Sequence, residues 1–246
     1  MTKIIGIIPA RYASTRFPGK PLVKLGQMSM IERVYRQAEK CKSLHQVLVA
    51  TDDERIAQEV ARFGGAYCMT DPNHMSGTDR CREAMEQMTE AFDYVVNIQG
   101  DEPFIAPEQI EELCELLDGN TELATQARQI QQVDDLHNPN VVKLVKGNQG
   151  NALYFSRQAI PYYRGLAPEE WLSKQAYYQH IGLYAYRTDI LQRIAVLPAS
   201  TLEIAESLEQ LRWLENGFEI KVGITHYGAT GIDTPEDIEK VKHLFE

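Results

Sequence analysis

The chain has 246 residues, 43% of them hydrophobic and 24% charged, an ordinary globular composition long enough to bury one substantial core. Its formal net charge of −10 argues against nucleic acid or an anionic membrane as the main partner, while leaving room for an anionic small molecule held by a local cluster of cations. No segment approaches the roughly 18 consecutive apolar residues of a membrane span, and the apolar run before Pro9 is too short for a signal peptide, so a cytoplasmic protein is expected.

In chain order, Ile4–Ile8 is a continuous β-branched run, the mark of a strand covered on both faces. Met30, Ile31, Val34, Ala38 and Cys41 recur at helical spacing, Val47–Ala50 is a second buried strand, and Ile56, Val60 and Phe63 mark a helix stopped by Gly64-Gly65. Ala66–Met69 reads as a third strand, and Cys81, Ala84, Met85, Met88 and Ala91 as another amphipathic helix. Tyr94–Ile98 is a fourth strand, followed by a helix carrying Ile110, Leu113, Cys114 and Leu117. This alternation predicts an α/β fold, a mostly parallel twisted sheet with helices on both faces and right-handed crossovers.

The second half is less regular. Strands are expected at Val141–Lys146, Ala152–Phe155, Ile181–Tyr186 and Ile220–Ile224, a helix around Leu208, Leu211 and Leu214, and a closing helix over Pro235–Phe245 with Ile238, Val241 and Phe245 inward. Between them runs an aromatic, loop-rich stretch, Pro161–Tyr178, suited either to covering a core or to a subunit interface. No repeat, low-complexity tract or linker divides the chain, so residues 1–246 read as one domain. Cys41, Cys68, Cys81 and Cys114 show no CxxC and no Cys/His pair at zinc-ligand spacing. Free thiols in a reducing compartment are expected.

Ligands of such sheets bind outside the carboxyl ends of the strands. The first of those loops, Pro9-Ala10-Arg11-Tyr12-Ala13-Ser14-Thr15-Arg16-Phe17-Pro18-Gly19-Lys20-Pro21, holds three cations, two hydroxyls and a glycine. Arg supplies forked donors to phosphate oxygens and Lys a compact charge, so the loop suits a triphosphate. Neither the GxxxxGK[ST] nor the GxGxxG pattern is present, which argues against a P-loop and against a nicotinamide or flavin enzyme. Asp101, in Gln99-Gly100-Asp101-Glu102-Pro103 directly after the fourth strand, would face the phosphates, where a carboxylate can hold Mg²⁺, or would serve as a turn or N-cap residue. Thr234-Pro235-Glu236-Asp237 is a good helix start that assigns the cap to Thr234 and leaves Asp233 to point into the cleft. For Thr51-Asp52-Asp53 and Ser76-Gly77-Thr78 the simplest local reading is N-capping of the helices that follow.

Taken together, Arg11-Tyr12-Ala13-Ser14-Thr15-Arg16-Phe17-Pro18-Gly19-Lys20-Pro21-Leu22 resembles the signature loop of the 3-deoxy-manno-octulosonate (Kdo) cytidylyltransferases. The resemblance continues in order through Ala50–Asp53, Ser76–Arg80, Asn97–Pro103, Ala152–Arg157, His180–Gly182, Leu208–Arg212 and Gly231–Asp237. Lys20-Pro21 separates the loop from that of sialic-acid cytidylyltransferases, which usually has Lys-Asn, and the glycine-richer loop of the sugar-1-phosphate nucleotidyltransferases does not match.

The resemblance implies a Rossmann-like nucleotidyltransferase fold and transfer of CMP from CTP to Kdo, with pyrophosphate leaving, for the lipopolysaccharide core of a Gram-negative bacterium. An 8-amino-Kdo analogue or another 2-keto sugar acid stays open as acceptor, as does a nucleotide-binding regulator without activity. It implies a catalytic set of Arg11, Lys20, Asp101 and Asp233, with Asp101 and Asp233 binding magnesium. It implies nucleotide contacts from Pro9, Ala10, Arg11, Ser14, Thr15, Arg16, Lys20, Thr51, Asp52, Asp53, Ser76, Gly77 and Thr78. Sugar contacts fall to Arg80, Gln99, Arg157, His180, Tyr186, Glu209 and Gln210, with Glu209 alternatively pairing with Arg212 on its own helix. It also implies a homodimer through a dimerisation and sugar-binding region within about residues 150–200.

Overall fold

The computed structural model describes residues 2–13, 17–228 and 231–245. In chain order, β1 (Ile4–Ala10) leads through a short hairpin, β2 (Lys24–Leu25) and β3 (Met28–Ser29), into α1 (Met30–Ala38). Then come β4 (Gln46–Thr51), α2 (Glu54–Arg62), β5 (Tyr67–Met69), α3 (Gly77–Glu86), β6 (Tyr94–Asn97) and α4 (Pro107–Cys114). The second half contributes β7 (Leu123–Gln129), α5 (Val133–His137), β8 (Lys143–Lys146), β9 (Ala152–Ser156) and β10 (Tyr178–Arg187). It closes with α6 (Thr188–Ile194), α7 (Thr201–Glu206), α8 (Gln210–Glu215), β11 (Ile220–Ile224) and α9 (Pro235–Val241).

The main sheet has the order β11-β7-β10-β6-β1-β4-β5, and the β8–β9 pair is attached to the start of β10. All pairings along that path are parallel except those of β10, which runs antiparallel to both β6 and β7. The carboxyl ends of β1, β4, β5, β6, β7 and β11 therefore share one edge.

Strand side chains alternate between faces, and each face carries its own core. Ile5 and Ile7 of β1 join Val95 of β6 beneath α3, α6 and α8, while Ile4 and Ile8 join Val96 against α1, α2 and α4. The antiparallel β10 and the strand β7 depart from simple β-α alternation. β7 reads Leu-Ala-Thr-Gln-Ala-Arg-Gln, with no β-branched apolar run, yet Leu123–Ala127 are buried because the strand is wedged between β10 and β11. The helix expected to reach Ala91 ends at Glu86, and Met88 packs on the core from the following turn. In the aromatic stretch, Trp171 and Tyr177 are core cover, packing with Ile130 and Leu136, whereas Tyr162 stands exposed. Among the described residues, no helix is long and apolar enough to cross a membrane.

Candidate active site

The loop after β1 is closed by its backbone. The Gly19 N–H donates to the Tyr12 carbonyl at 2.9 Å, with Gly19 in the left-handed region at φ 73°. Glycine adopts that conformation without steric cost, and it launches the 3-10 turn Lys20–Leu22. Ser14, Thr15 and Arg16 lie outside the described residues.

Lys20 turns back across the carboxyl end of the sheet. Its Nζ lies 2.8 Å from Asp101 Oδ2 and 3.3 Å from Asp233 Oδ1. Asp101 leaves the end of β6, and the Ile232 N–H donates to the Asp101 carbonyl at 2.9 Å, a main-chain tie between residues 131 positions apart in sequence. Thr234 caps α9, and the Asp237 carboxylate accepts from the Asp233 and Thr234 N–H groups, so helix capping does not consume the Asp233 carboxylate. Two half-exposed carboxylates thus converge on one mostly buried ammonium. Next to them Glu102 is buried, and burial, aided by the Asp101 charge, pushes its carboxyl up to about 7.

Two adjoining cavities share Pro9, Ala10, Arg11 and Gln99. One, of about 110 Å³, is completed by Lys20, Pro21, Gly100 and Asp101. The other, of about 170 Å³, is completed by His74, Met75, Ser76, Gly77 and Arg80.

Around the second cavity the local structural readings are partly realised. Asp53 is the N-cap of α2, accepting from the Arg55 N–H, and Arg55 pairs with it at 2.6 Å. Asp52 instead reaches the Arg80 guanidinium at 3.3 Å, and its second oxygen, Oδ1, is buried without a hydrogen-bond partner among the described residues. Thr51 is buried at the end of β4. Ser76 caps α3 in a reciprocal capping box with Asp79, while Thr78 is buried and donates to Glu209 Oε2 at 3.0 Å. Arg80 is buried too, and its other partner is the Thr70 hydroxyl. Thr70 carries no sequence signal for that role.

The structure brings Gln99 to the shared wall, its amide donating to the Gly182 carbonyl at 3.1 Å. Tyr186 is buried, with its hydroxyl accepting from Asn97 and its ring edge-on to Trp213. Glu209 does not pair with Arg212, which forks onto Glu203 instead. Burial raises the Glu209 carboxyl despite the Thr78 bond. Gln210 is buried next in sequence, with Nε2 unpartnered among the described residues. His180 packs edge-on to Phe155 and bonds the Thr125 hydroxyl at 3.2 Å, and burial lowers its pKa to about 3, so the ring is neutral. Arg157 stands apart from both cavities. Its guanidinium donates to the carbonyls of Pro139, Glu206 and Ser207. Behind it the buried Lys143 ammonium donates to three carbonyls, Asn138, Val141 and Arg157, a clamp with no signature in the sequence.

A magnesium ion can be tested against the donors present. Among the described residues no group of three or more His, Cys, Asp or Glu side chains could hold a metal. Asp101 and Asp233 offer hard oxygen donors on one side of the cleft, and Mg²⁺ is typically held by one or two carboxylates plus phosphate oxygens and waters. The pair fits that ion when a triphosphate completes the shell.

A mostly parallel sheet with a cationic loop and paired aspartates at its carboxyl edge defines a nucleotidyltransferase. The cytidylyltransferase family profile matches residues 5–222. A 3-deoxy-manno-octulosonate cytidylyltransferase of Parabacteroides distasonis is 56% identical, the match covering 98% of this chain and 97% of that one. One of Cytophaga hutchinsonii is 52% identical over 98% and 96% of the two chains. Among solved structures, a CMP:2-keto-3-deoxy-manno-octonic acid synthetase complexed with CTP superposes with a TM-score of 0.92 at 42% identity, covering 99% of this chain and 98% of that one. The chain belongs to the cytidylyltransferase family and, within it, to the 3-deoxy-manno-octulosonate cytidylyltransferases.

Proposed function

We propose that the protein transfers CMP from CTP to Kdo, giving CMP-Kdo and pyrophosphate, and so activates Kdo for lipopolysaccharide inner-core synthesis. The observation that carries this reading is the convergence of Asp101 and Asp233 on Lys20 beside the loop that begins at Pro9. In the reaction the anomeric hydroxyl of the sugar acid attacks the α-phosphorus in line, and pyrophosphate leaves. Nucleophile, sugar carboxylate and triphosphate are all electron-rich, so the chain must supply charge and position rather than covalent chemistry. Arg11 and Lys20 neutralise phosphate oxygens. Asp101 and Asp233 would hold magnesium, which when bound offsets phosphate charge and lowers the pKa of a coordinated hydroxyl. As Lys20 moves to phosphate it releases both carboxylates, so the ion pairs keep the aspartates together until nucleotide arrives.

Pro9, Ala10, Ser76 and Gly77 line the nucleoside half of the cleft, with Asp52 backing Arg80. On this reading Thr51, Asp53 and Thr78 shape the turns around it, and Ser14, Thr15 and Arg16 extend the phosphate loop. Arg80 and Gln99, at the border of the nucleoside half, form the sugar side, with Arg157, His180, Tyr186, Glu209 and Gln210 forming or supporting it. Tyr186 acts through Asn97, and Arg157 braces the segments at Pro139 and Glu206. The reading extends to a cytoplasmic homodimer through about residues 150–200, where Leu153 and Tyr162 expose apolar surface. Sedimentation equilibrium that returns the mass of a single chain would remove the dimer.

The test of function is pyrophosphate release from CTP and Mg²⁺ with a panel of keto sugar acids. Kdo is expected to be turned over fastest. Preference for the 8-amino analogue would reassign the acceptor, and CTP binding without turnover of any acceptor would remove the activity.

A further inference from the structure

The segments that carry Asp101 and Asp233 share an anchor away from the cleft. Leu25 and Met30 pack with Ile232 and Val241 in a small cluster separate from the two main cores, and Phe104 and Phe245 lie against it. Phe104 follows Asp101 by three residues. Phe245 follows the 3-10 turn Lys242–Leu244, which continues α9, and Asp233 stands just before that helix. The two rings are nearly parallel, at 4°, with centroids 6.3 Å apart. Phe245 also meets the β2–β3 turn closely: a Cβ added at Gly26 would stand 2.9 Å from the Phe245 carbonyl oxygen.

Arg33 of α1 touches all three parts. Its Nε and Nη2 donate to the Leu25 carbonyl at 2.8 and 2.6 Å, which fixes the guanidinium on the hairpin. Its Cζ then lies 5.9 Å from the Phe104 ring centroid and 5.5 Å from that of Phe245, within cation–π range of each. One side chain outside the cleft therefore holds a ring from each aspartate-bearing segment.

The aspartates need such a hold. Lys20 bridges both carboxylates here, and on the reading above it moves to phosphate when nucleotide binds. The two negative charges then repel one another. What still joins their segments is the Ile232–Asp101 main-chain bond, the small apolar cluster and the Arg33 contacts.

We infer that Arg33 is a positioning residue for the metal pair. By holding Phe104 and Phe245 against the hairpin it keeps Asp101 and Asp233 in register, so a divalent cation meets carboxylates already placed. Loss of cation–π contacts of this kind corresponds to about a two- to thirtyfold weaker hold on the metal.

The inference rests on the magnesium reading, and the experiment separates the two. Arg33→Met removes the charge and the fork, and Phe245→Leu removes one ring; circular dichroism and urea unfolding check each fold. Mn²⁺ stands in for Mg²⁺ at carboxylate and water ligands, and water-proton relaxation measures the Mn²⁺ bound to protein in the presence of α,β-methylene-CTP. Hydrogen exchange read by mass spectrometry follows the peptide around Ile232 without any ligand. Both variants are expected to exchange that peptide faster and to bind Mn²⁺ about two- to thirtyfold more weakly. They should need correspondingly more Mg²⁺ for half-maximal pyrophosphate release, with kcat at saturating Mg²⁺ near that of the wild type. Wild-type Mn²⁺ affinity or wild-type exchange in a folded variant, even one with a lowered unfolding midpoint, would make Arg33 a stability contact only and overturn the inference. A wild type that binds Mn²⁺ no more tightly than the Asp101→Asn/Asp233→Asn double variant would overturn the magnesium reading, and this inference with it.

Discussion

Gly100 sits between Gln99 and Asp101, and its backbone packs against the start of the phosphate loop. A Cβ placed on it would lie 2.9 Å from the Pro9 carbonyl oxygen, whereas ordinary contact begins near 3.4 Å. In Gly100→Ala the two backbones must therefore part by about 0.5 Å. No flexible side chain can absorb the shift, because the obstacle is main chain at the end of β1. Overpacking of this kind costs about 1–3 kcal/mol. The displaced turn carries Asp101 away from Lys20 and the cleft, so the loss should appear in turnover as well as in stability. At about 1.4 kcal/mol per factor of ten, kcat/KM is expected to fall about ten- to a hundredfold. The assay is pyrophosphate release together with urea unfolding. A Gly100→Ala protein with wild-type unfolding midpoint and wild-type kcat/KM would refute the claim that this close approach positions Asp101.

Other outcomes follow from the same geometry. Asp101→Asn and Asp233→Asn should fold and lose about a hundredfold or more in kcat, corresponding to about 3 kcal/mol of lost transition-state stabilisation, measured with saturating Mg²⁺. Asp52→Ala leaves the buried Arg80 guanidinium with Thr70 alone, and chemical denaturation should show a loss of about 3–5 kcal/mol. His180 is held neutral in the fold, with its pKa lowered from 6.5 to about 3 by burial, while the unfolded chain takes up the proton. Its contribution is therefore intact above about pH 6.5 and is lost as pH falls toward 3. The acid limb of stability against pH should be shallower for His180→Gln over that window, and an unchanged slope would contradict the assignment.

The first half of the fold is legible because each strand there is an unbroken apolar run covered on both faces. Ile4–Ala10 and Gln46–Thr51 announce themselves in this way. β7 does not. Its alanines, Thr125 and Gln126 suit a strand squeezed between two others with a helix close by, where the Gln126 amide donates to the Gln109 carbonyl. The small helices α5, α6 and α7 are too short to show a helical period, and the antiparallel entry of β10 has no local signature. At the site, the motif order pointed to Lys20, Asp101 and Asp233, but only tertiary contacts reveal that one ammonium bridges both carboxylates. The same limit applies to the supporting shell. Glu209 sits one turn from Arg212 in sequence, yet Thr78 claims it, while Glu203 claims the arginine. Thr70 and Lys143 act through partners distant in sequence or through backbone carbonyls, and composition carries no trace of such contacts.

The most direct test of the account is product formation from CTP, Kdo and Mg²⁺ by the wild-type protein and by an Asp101→Asn/Asp233→Asn double variant, followed by mass spectrometry and pyrophosphate release. The account predicts CMP-Kdo and pyrophosphate in equal amounts from the wild type, abolished by chelation and reduced to background in the folded double variant. Full activity in that variant, or CTP bound by the wild type with no CMP-sugar formed, would contradict it.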